Sequence, residues 1–461
     1  MAAQKFFILG CGFLVGIIIA AFYSLSFVTF YLIALSTFIV GAILFNRYLF
    51  LISLFIIGLF LGVFYSGYRT NLLSSEYPKS STGNFSVVSI SETLTTDKSQ
   101  RFLAKFEGNY KGDVLVFYSS EDKVLYGEKF LVSGEFKLAE RPGDSPVIFT
   151  VKISRSGERV KTVGRYLYDL KSSLVNVLIR ELSPKAGALA AGLLLGDKAN
   201  FSSEFKDAMQ RSGTTHTVAL SGYNISVLVG ALAILVAGFS RRTRIWLYFL
   251  AITFFTLMVG AEPSIVRAAI MGGIFLLSKE LGRDMPASYS LVFAGFLMLL
   301  WNPIYIYSVG FQLSFLSFAG IVYLVPAIAR VVKLKLNLFT NLVLETLSAQ
   351  LAVLPLIVSY FGGFSPMSLL ANVFILWTVP IGMFFVFCML VLNFAFPPIL
   401  FFISWICEMI LGYQIFIINL FSKLYVPAGE YFKNGSFVAL YAFAILGFII
   451  IAGRKNKDER V

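Results

Sequence analysis

The stretch Phe50–Tyr65, FLISLFIIGLFLGVFY, decides the class of fold because it contains no charged residue. A bilayer core about 30 Å thick is crossed by a helix of about 20 mostly apolar residues. Comparable stretches recur along the 461 residues, of which 57% are hydrophobic and 14% charged, and the mean hydropathy is +0.80. These values exclude an ordinary water-soluble fold and predict a polytopic α-helical membrane protein.

We predict about twelve membrane spans from the positions of these apolar stretches. The first is followed by two more and has no small-residue cleavage site, so we interpret it as a retained span rather than a signal peptide. Residues 263–278 are few enough to form a half-helix instead of a full crossing. The predicted spans are 6–24, 25–45, 48–67, 221–239, 245–259, 263–278, 285–301, 308–328, 339–359, 369–395, 398–422 and 436–452.

The distribution of Lys and Arg predicts the orientation of these spans. If the N-terminus is cytoplasmic, alternation puts 14 basic residues in cytoplasmic segments and only Lys423 and Lys433 in the short outer loops. Both termini are then cytoplasmic, in an inner (plasma) membrane, and residues 69–220 are extracytoplasmic. The cytoplasmic segments carry only four acidic residues, so they hold most of the net charge of +13. That surplus is therefore a result of topology and not evidence for a nucleic-acid surface.

Residues 69–163 differ in character from the apolar stretches around them. Short alternating runs at 85–90, 113–118 and 129–134 are separated by turn residues such as Gly83-Asn84. Period-two alternation with Gly, Asn and Pro between the runs is typical of a small antiparallel sheet or barrel. We therefore predict an inserted extracytoplasmic β domain.

The chain divides into five predicted segments. The third and fourth hold the polar motifs discussed next, and the last is basic. The segments are three N-terminal transmembrane helices at 1–68, the β domain at 69–163, outer-face or interfacial helices with a motif segment at 164–220, a transmembrane domain at 221–452 and a cytoplasmic tail at 453–461.

Cysteine and histidine usage limits the chemistry. Cys11, Cys388 and Cys407 all lie in apolar stretches and are most simply buried small residues. His216 is the one histidine, whereas catalytic zinc sites generally need several imidazoles or thiolates. No phosphate-binding loop of the Gly-x-x-x-x-Gly-Lys-Ser/Thr type occurs. We therefore predict no bound metal, no cofactor and no ATP hydrolysis by this chain.

One polar constellation extends from residue 192 to residue 225, where an outer segment enters the membrane. It includes Asp197, His216, Ser221 and Asn224 among small and hydroxyl residues. Polar groups at membrane depth face protein or a water-filled cavity. They could line the mouth of a polar pathway, or they could cap a helix entry. An acid, base and nucleophile arrangement of Asp197, His216 and Ser221 is a further alternative, although no Gly-x-Ser-x-Gly elbow is present.

A second constellation follows at the start of the span 263–278. Arg267 lies about one turn into this span and Glu262 precedes it. An intramembrane arginine should face the bundle interior, and its planar fork suits a phosphate. A structural ion pair or a snorkelling side chain would explain it equally well. Further polar candidates inside predicted spans are Gln312, Glu345, Gln350 and Glu408, each of which could be an interhelical hydrogen-bonding group.

These motifs, in this order, resemble the ComEC family, the inner-membrane DNA-uptake channels of natural competence. The resemblance covers residues 165–452, and its motifs are Leu195-Gly196-Asp197, Gly213-Thr214-x-His216-x-x-Ala219-Leu220-Ser221-Gly222, Ser264-x-x-Arg267-Ala268, and Asn302-Pro303 with Gly310-Phe311-Gln312-Leu313-Ser314. The family also has spans and an OB-like β domain before its membrane domain, so the resemblance implies an OB-like barrel at 69–163. Two departures are Asn224, where many members have His, and the lack of the metallo-β-lactamase-like nuclease domain that ends longer members.

The resemblance implies a channel, rather than an enzyme, that passes single-stranded DNA through the lipid bilayer. A separate nuclease and a cytoplasmic DNA motor would be its partners. OB folds hold single strands by stacking on rings and by backbone charge. The candidate DNA contacts are Lys98, Arg101, Lys105, Lys111, Tyr110 and Tyr118, although alternation predicts that about half of the rings are core. The alternatives are a secondary transporter of another anionic solute and a membrane-embedded hydrolase.

Overall fold

The computed structural model forms two compact units, Met1–Leu170 with Val292–Phe311, and Lys171–Leu291 with Gln312–Val461. Each is described by itself. The residues described are 2–22, 47–75, 77–78, 82–91, 94–96, 99–108, 110–118, 124–138, 146–197, 199–215, 222–333, 337–361, 363–395, 400–424, 426–427, 441, 443–445 and 447–452.

The first unit begins with a tightly packed helix pair, α1 (Ala2–Phe22) and α2 (Arg47–Ser75). Glycines mark the contact between them, because a Cβ on any one would overlap a backbone carbonyl oxygen of the other helix. Small residues let two membrane helices approach this closely. The glycines are Gly12 and Gly16 on α1, and Gly58 and Gly62 on α2. The pairing is therefore fixed by backbone approach and not by large side chains.

Six strands follow, and five of them close into a barrel. They are β1 (Thr82–Ser89), β2 (Leu94–Thr96), β3 (Ser99–Phe106), β4 (Asp113–Tyr118), β5 (Glu128–Lys137) and β6 (Val147–Arg159). The order in the sheet is β1-β5-β6-β4-β3-β2, and β1 also pairs with β3. Among the described strand pairings, β4 with β6 is parallel and the others are antiparallel. This Greek-key closure of five strands is the OB-like arrangement that the family resemblance implies.

Alternation along the strands fills the barrel with rings and β-branched residues. In β1 and β4 every second side chain is buried. Phe102 is fully buried and its ring centroid lies 5.4 Å from that of Phe130 and 5.6 Å from that of Tyr118. Aromatic pairs at such separations add to the free energy gained from burial. The three alternating runs noted in the sequence fall in β1, β4 and β5, as predicted.

The other described elements are mostly helices. They are α3 (Val163–Glu181), α4 (Pro184–Leu195), α5 (Ser203–Ser212), α6 (Gly222–Leu235), α7 (Arg241–Val259), α8 (Pro263–Glu280), α9 (Ala287–Trp301), a 3-10 turn (Pro303–Tyr307), α10 (Val309–Val332), α11 (Leu338–Phe361), α12 (Ser368–Leu376), α13 (Val379–Ala395) and α14 (Leu400–Ser422). Two short strands, Gly363–Phe364 and Val426–Pro427, pair with each other. In the first unit, Phe6 of α1 packs on Phe293 and Phe296 of α9.

The second unit is organised around α4, the most buried of the helices described. Nine of its twelve residues are buried. Its small residues let α13 and α14 pack against it, and α5 completes this core through Phe205 and Met209. This helix lies in the predicted interfacial segment 164–220, but its environment is the interior of the unit. The outer-face position of that segment remains a prediction.

The structure confirms a polytopic membrane fold, and its described residues account for part of the twelve predicted spans. Six described helices are long and apolar enough to cross a membrane: α1, α2, α7, α10, α11 and α14. The predicted span 369–395 is two helices, α12 and α13, which meet at a 45° bend and together could form a seventh. The apolar helix α9 is short, as is the helix near residues 443–452. Predicted span 25–45 lies outside the described residues.

Candidate functional site

Arg267 of α8 is a buried charge in the second unit. Its side chain is 6% exposed. Pro263 begins α8 at a position where a missing N–H costs no hydrogen bond, so Arg267 falls on the second turn, beside the small residues Ala268 and Ala269. Its guanidinium carbon lies 5.3 Å from the ring centroid of Phe318 and 6.0 Å from that of Phe315. Both rings belong to α10, so two helices form this environment.

The polar contacts of Arg267 are few. Nη1 lies 3.8 Å from the sulfur of Met271, a weak acceptor, and Nε has no hydrogen-bond partner among the described residues. Glu262 stands at the N-cap of α8, yet no ion pair joins these two described residues. A structural ion pair was one of the alternatives that the sequence left open for Arg267, and among the described residues Glu262 does not supply it.

Arg244, in the same unit, is an arginine whose hydrogen-bond donors are paired with a carboxylate. Its Nε and Nη2 donate to the two carboxylate oxygens of Glu280 at 2.8 and 2.5 Å, and Tyr248 also donates to that carboxylate at 3.3 Å. A buried unpaired charge costs several kcal/mol even after relaxation, whereas a desolvated cation–π contact returns about 2 kcal/mol. The described contacts of Arg267 therefore do not offset the free-energy cost of burying its charge, whereas the pairing with Glu280 offsets that cost for Arg244.

Asp197 and Asn224 each form a hydrogen bond at the C-terminal end of α4, with different partners. Gly196 adopts the left-handed conformation there, with φ of 67°. Its N–H donates to Gly192 O at 3.0 Å, and the N–H of Asp197 donates to Ala191 O at 3.2 Å. The carboxylate of Asp197 accepts from Asn200 Nδ2 at 2.7 Å, which fixes the turn after the helix. Asn224 Nδ2 donates to Leu193 O at 2.8 Å, while its Oδ1 is buried without a partner among the described residues. Both side chains therefore organise the end of α4.

The rest of this constellation is only partly described. His216 and Ser221 lie outside the described residues, so the acid, base and nucleophile alternative cannot be assembled from this structure. Gly213 ends α5 in the left-handed conformation. It lies so close to Ser368, at the start of α12, that a Cβ on Gly213 would overlap the serine side chain. The described start of the motif segment, at Gly213, is therefore packed against the start of α12.

The other predicted pathway residues on α10 and α11 are dispersed. Gln312 accepts from the hydroxyl of Tyr360 at 3.1 Å, and Glu345 accepts from Asn341 at 2.8 Å. Gln350 Nε2 is buried without a described partner. None of the polar or ring contacts of Arg267 reaches another predicted site residue that the structure describes.

Asn372 is noted in the sequence as lying just inside a predicted span but is not among the predicted pathway residues, and in the structure it belongs to α12. It is fully buried, and neither its Oδ1 nor its Nδ2 has a partner among the described residues. It precedes the bend, where Gln414 of α14 donates to Thr378 at 3.0 Å. An asparagine inside an apolar run was visible in the sequence, but its burial depends on how α12 packs.

On the barrel, the predicted DNA contacts divide into surface and core. Arg101, Lys105 and Lys111 are exposed. Tyr118 is 3% exposed and donates its hydroxyl to Gln100 at 2.7 Å, and Tyr110 is half-buried against the core ring of Phe85. Lys98 lies outside the described residues. The cations are therefore accessible, whereas the ring of Tyr118 is part of the barrel core.

The barrel surface carries a different aromatic feature, which we call the stacking stripe: Arg101, Phe117, Phe149 and Lys137. The rings of Phe117 and Phe149 are stacked at 5.4 Å and 24°, and Phe149 is 46% exposed. Strand register places Arg101 opposite Phe117, and Phe117 opposite Phe149. Lys137 Nζ lies 5.4 Å from the centre of the Phe149 ring. Phe117 is half-buried, so the exposed ring is that of Phe149. An exposed ring flanked by cations is the kind of element that holds single-stranded nucleic acid.

The stacking stripe depends on a parallel, non-local pairing. Phe149 follows buried Ile148 and so is outward by alternation, which the sequence could have indicated. Its proximity to Phe117 comes from the parallel ladder of β4 and β6, which are separated by β5 along the chain. Lys129 lies at the opposite end of β5 from Lys137 and pairs with Glu107 at 2.8 Å, a hydrogen bond that raises the pKa of Lys129.

Comparisons with known proteins agree on one family. The competence protein family matches residues 193–456, which is more than half of the chain. ComE operon protein 3 of Bacillus subtilis (strain 168) is 30% identical over 224 residues, a match that covers 48% of this chain and 27% of that protein. No solved structure matches the chain. The chain belongs to the competence protein family.

Proposed function

We propose that this multi-pass membrane protein is a channel, rather than an enzyme, that carries single-stranded DNA into the cytoplasm during natural transformation. Its membership in the competence protein family carries the proposal. The matched residues include helices α5 to α14, and hence Arg267 and the bent pair α12 and α13. This membership does not favour the transporter and hydrolase alternatives.

The stacking stripe supports a role for the barrel in holding the strand. Base–aromatic stacking contributes about 1–3 kcal/mol per base and is tolerant of sequence. The stripe crosses β3 and β4, which are the second and third strands of the five-stranded barrel, and this face binds oligonucleotides in OB folds. Arg101 and Lys137 would contact phosphates on either side of the two rings. The cations are few, so binding should be modest and sensitive to salt.

The orientation and the partners are parts of the same proposal. The excess of Lys and Arg in alternate loops supports cytoplasmic termini and an extracytoplasmic barrel. The barrel would then receive the strand, and the membrane helices would pass it. Strand degradation and pulling force are assigned to other proteins, a nuclease and a cytoplasmic DNA motor.

The test is binding of a fluorescent oligothymidine to the full chain in lipid nanodiscs. The double variant Phe117→Ala/Phe149→Ala should weaken binding at least tenfold, because both stacking surfaces are removed. Tyr166→Ala is the matched control, since Tyr166 is an exposed ring on α3 outside the stripe, and it should bind as the wild type does.

A deletion strain supplies the test of transport. Wild-type protein should restore uptake of labelled DNA, and the double variant should restore less than a tenth of it. Normal transformation without the gene would refute the channel proposal, and unchanged binding by the double variant would refute the role of the stripe.

A further inference from the structure

We propose that Arg267, held against Phe315 and Phe318, is a transit site for the phosphodiester backbone that gives the channel its preference for anions. This inference rests on the proposed function and assigns a specificity-determining residue to it. The site consists of one guanidinium on α8 and two phenyl rings on α10. It is a feature of the second unit alone.

The first step of the argument is the unmet hydrogen-bonding capacity of the guanidinium. A guanidinium has five N–H donors. The described partner of Arg267 is a methionine sulfur at 3.8 Å, and Nε has none. Buried arginines are normally paired with a carboxylate or satisfied by carbonyls, and even the half-buried Arg244 is paired with Glu280. The unpaired fork of Arg267 therefore points to an acceptor that arrives from outside the protein.

The second step identifies the class of acceptor. The planar fork binds carboxylate and phosphate through two parallel hydrogen bonds. A small carboxylate would make no use of the two rings, whereas a nucleotide has both a phosphate for the fork and a base that can stack on a phenyl face. The combination of one fork and two rings therefore favours a single-stranded nucleic acid over a small anion.

The third step concerns the resting state. Without a strand, the guanidinium lies over the rings of Phe315 and Phe318, and these cation–π contacts hold a charge that would otherwise be costly to bury. A passing phosphate competes for the guanidinium and draws it off the rings, whose faces then become available to a base. An uncompensated positive charge also repels cations, so the empty site opposes their leakage.

The experiment compares Arg267→Met, Arg267→Lys and Arg244→Met in the full chain. Methionine keeps the length of the side chain and removes the charge. Replacing an unpaired buried charge with an apolar side chain should keep or raise the thermal midpoint, whereas Arg244→Met leaves Glu280 unpaired and should lower it. Midpoints are measured on purified protein by size-exclusion chromatography after heating.

DNA uptake in the deletion strain is the second readout, normalised to the amount of protein in the membrane. Arg267→Met should lower uptake at least tenfold while its midpoint is kept, and Arg267→Lys should retain part of the uptake because it keeps the charge. Wild-type uptake by Arg267→Met would refute the transit site and leave the channel proposal intact. Loss of folded protein in both the Met and Lys variants would show a structural arginine and also refute it. Failure of the wild-type gene to restore uptake would instead refute the proposed function.

Discussion

The barrel and the helical unit satisfy their polar groups to different degrees. Within the described strands of the barrel, every buried side-chain polar atom has a hydrogen-bond partner. The helices of the second unit bury several that have none among the described residues, on Asn224, Arg267, Ser348 and Asn372. Unsatisfied buried groups are expensive, and folds keep them mainly where they serve a function. We therefore expect the barrel to function through its surface, and the helical unit to function through polar groups in its interior.

The barrel also differs from the helix pair α1 and α2 in the residues that form its packing contacts. The barrel core consists of rings and β-branched side chains, whereas α1 and α2 meet at four glycines. Removing a ring leaves a cavity, but adding a methyl group between two backbones separates the helices. We therefore expect substitutions that remove side-chain volume to destabilise the barrel, and substitutions that add volume to destabilise the helix pair.

The largest expected effect is at the helix pair. In Gly16→Ala the new methyl group would overlap the carbonyl oxygen of Leu59, so α1 and α2 must separate along their length. We expect little or no folded protein in the membrane, measured by immunoblot of detergent extracts. Gly230→Ala is the control, because no atom lies within 4 Å of a Cβ there. Equal accumulation of both variants would show that the glycine contact is not required.

A smaller effect is expected in the barrel. Phe102→Ala removes a fully buried ring and should destabilise the domain by about 3–5 kcal/mol. The readout is the rate of limited proteolysis between residues 82 and 159. Leu131→Ala, at a side chain 49% exposed on β5, should leave that rate nearly unchanged. Similar rates for the two variants would mean that the ring cluster is not the source of stability.

The smallest expected effect is at Asn372, and it tests whether buried polar groups of the second unit lack hydrogen-bond partners. Asn372→Leu replaces a buried amide that has no described partner with an apolar side chain of similar shape, so it should stabilise the second unit by about 1 kcal/mol. The thermal midpoint measures this change. A lower midpoint would show that the amide is satisfied after all, while a higher midpoint with reduced DNA uptake would place Asn372 among the functional residues.

Local sequence patterns predicted the strands and helices, whereas the positions of the candidate site residues depend on packing between parts of the chain that are distant in sequence. Alternation located β1, β4 and β5, and hydropathy located the long helices, because both signals are carried by neighbours in the chain. The parallel pairing that joins Phe117 to Phe149 and the burial of α4 depend on distant partners. Arg267 was visible as a charge in an apolar run, but Phe315 and Phe318 resemble any lipid-facing rings until α8 and α10 are placed together.

The closed barrel has a consequence for biogenesis. Its first strand, β1, pairs with β5 and β3, and its last strand, β6, fills the gap between β5 and β4. No set of strands that lacks β6 can complete the ring of hydrogen bonds, and until β6 pairs, β4 and β5 keep open edges that can pair with other chains. The domain must therefore assemble late and in one step, after its whole segment has been synthesised, and high contact order makes that step slow. Cells that make this protein should need protection for the segment during that interval.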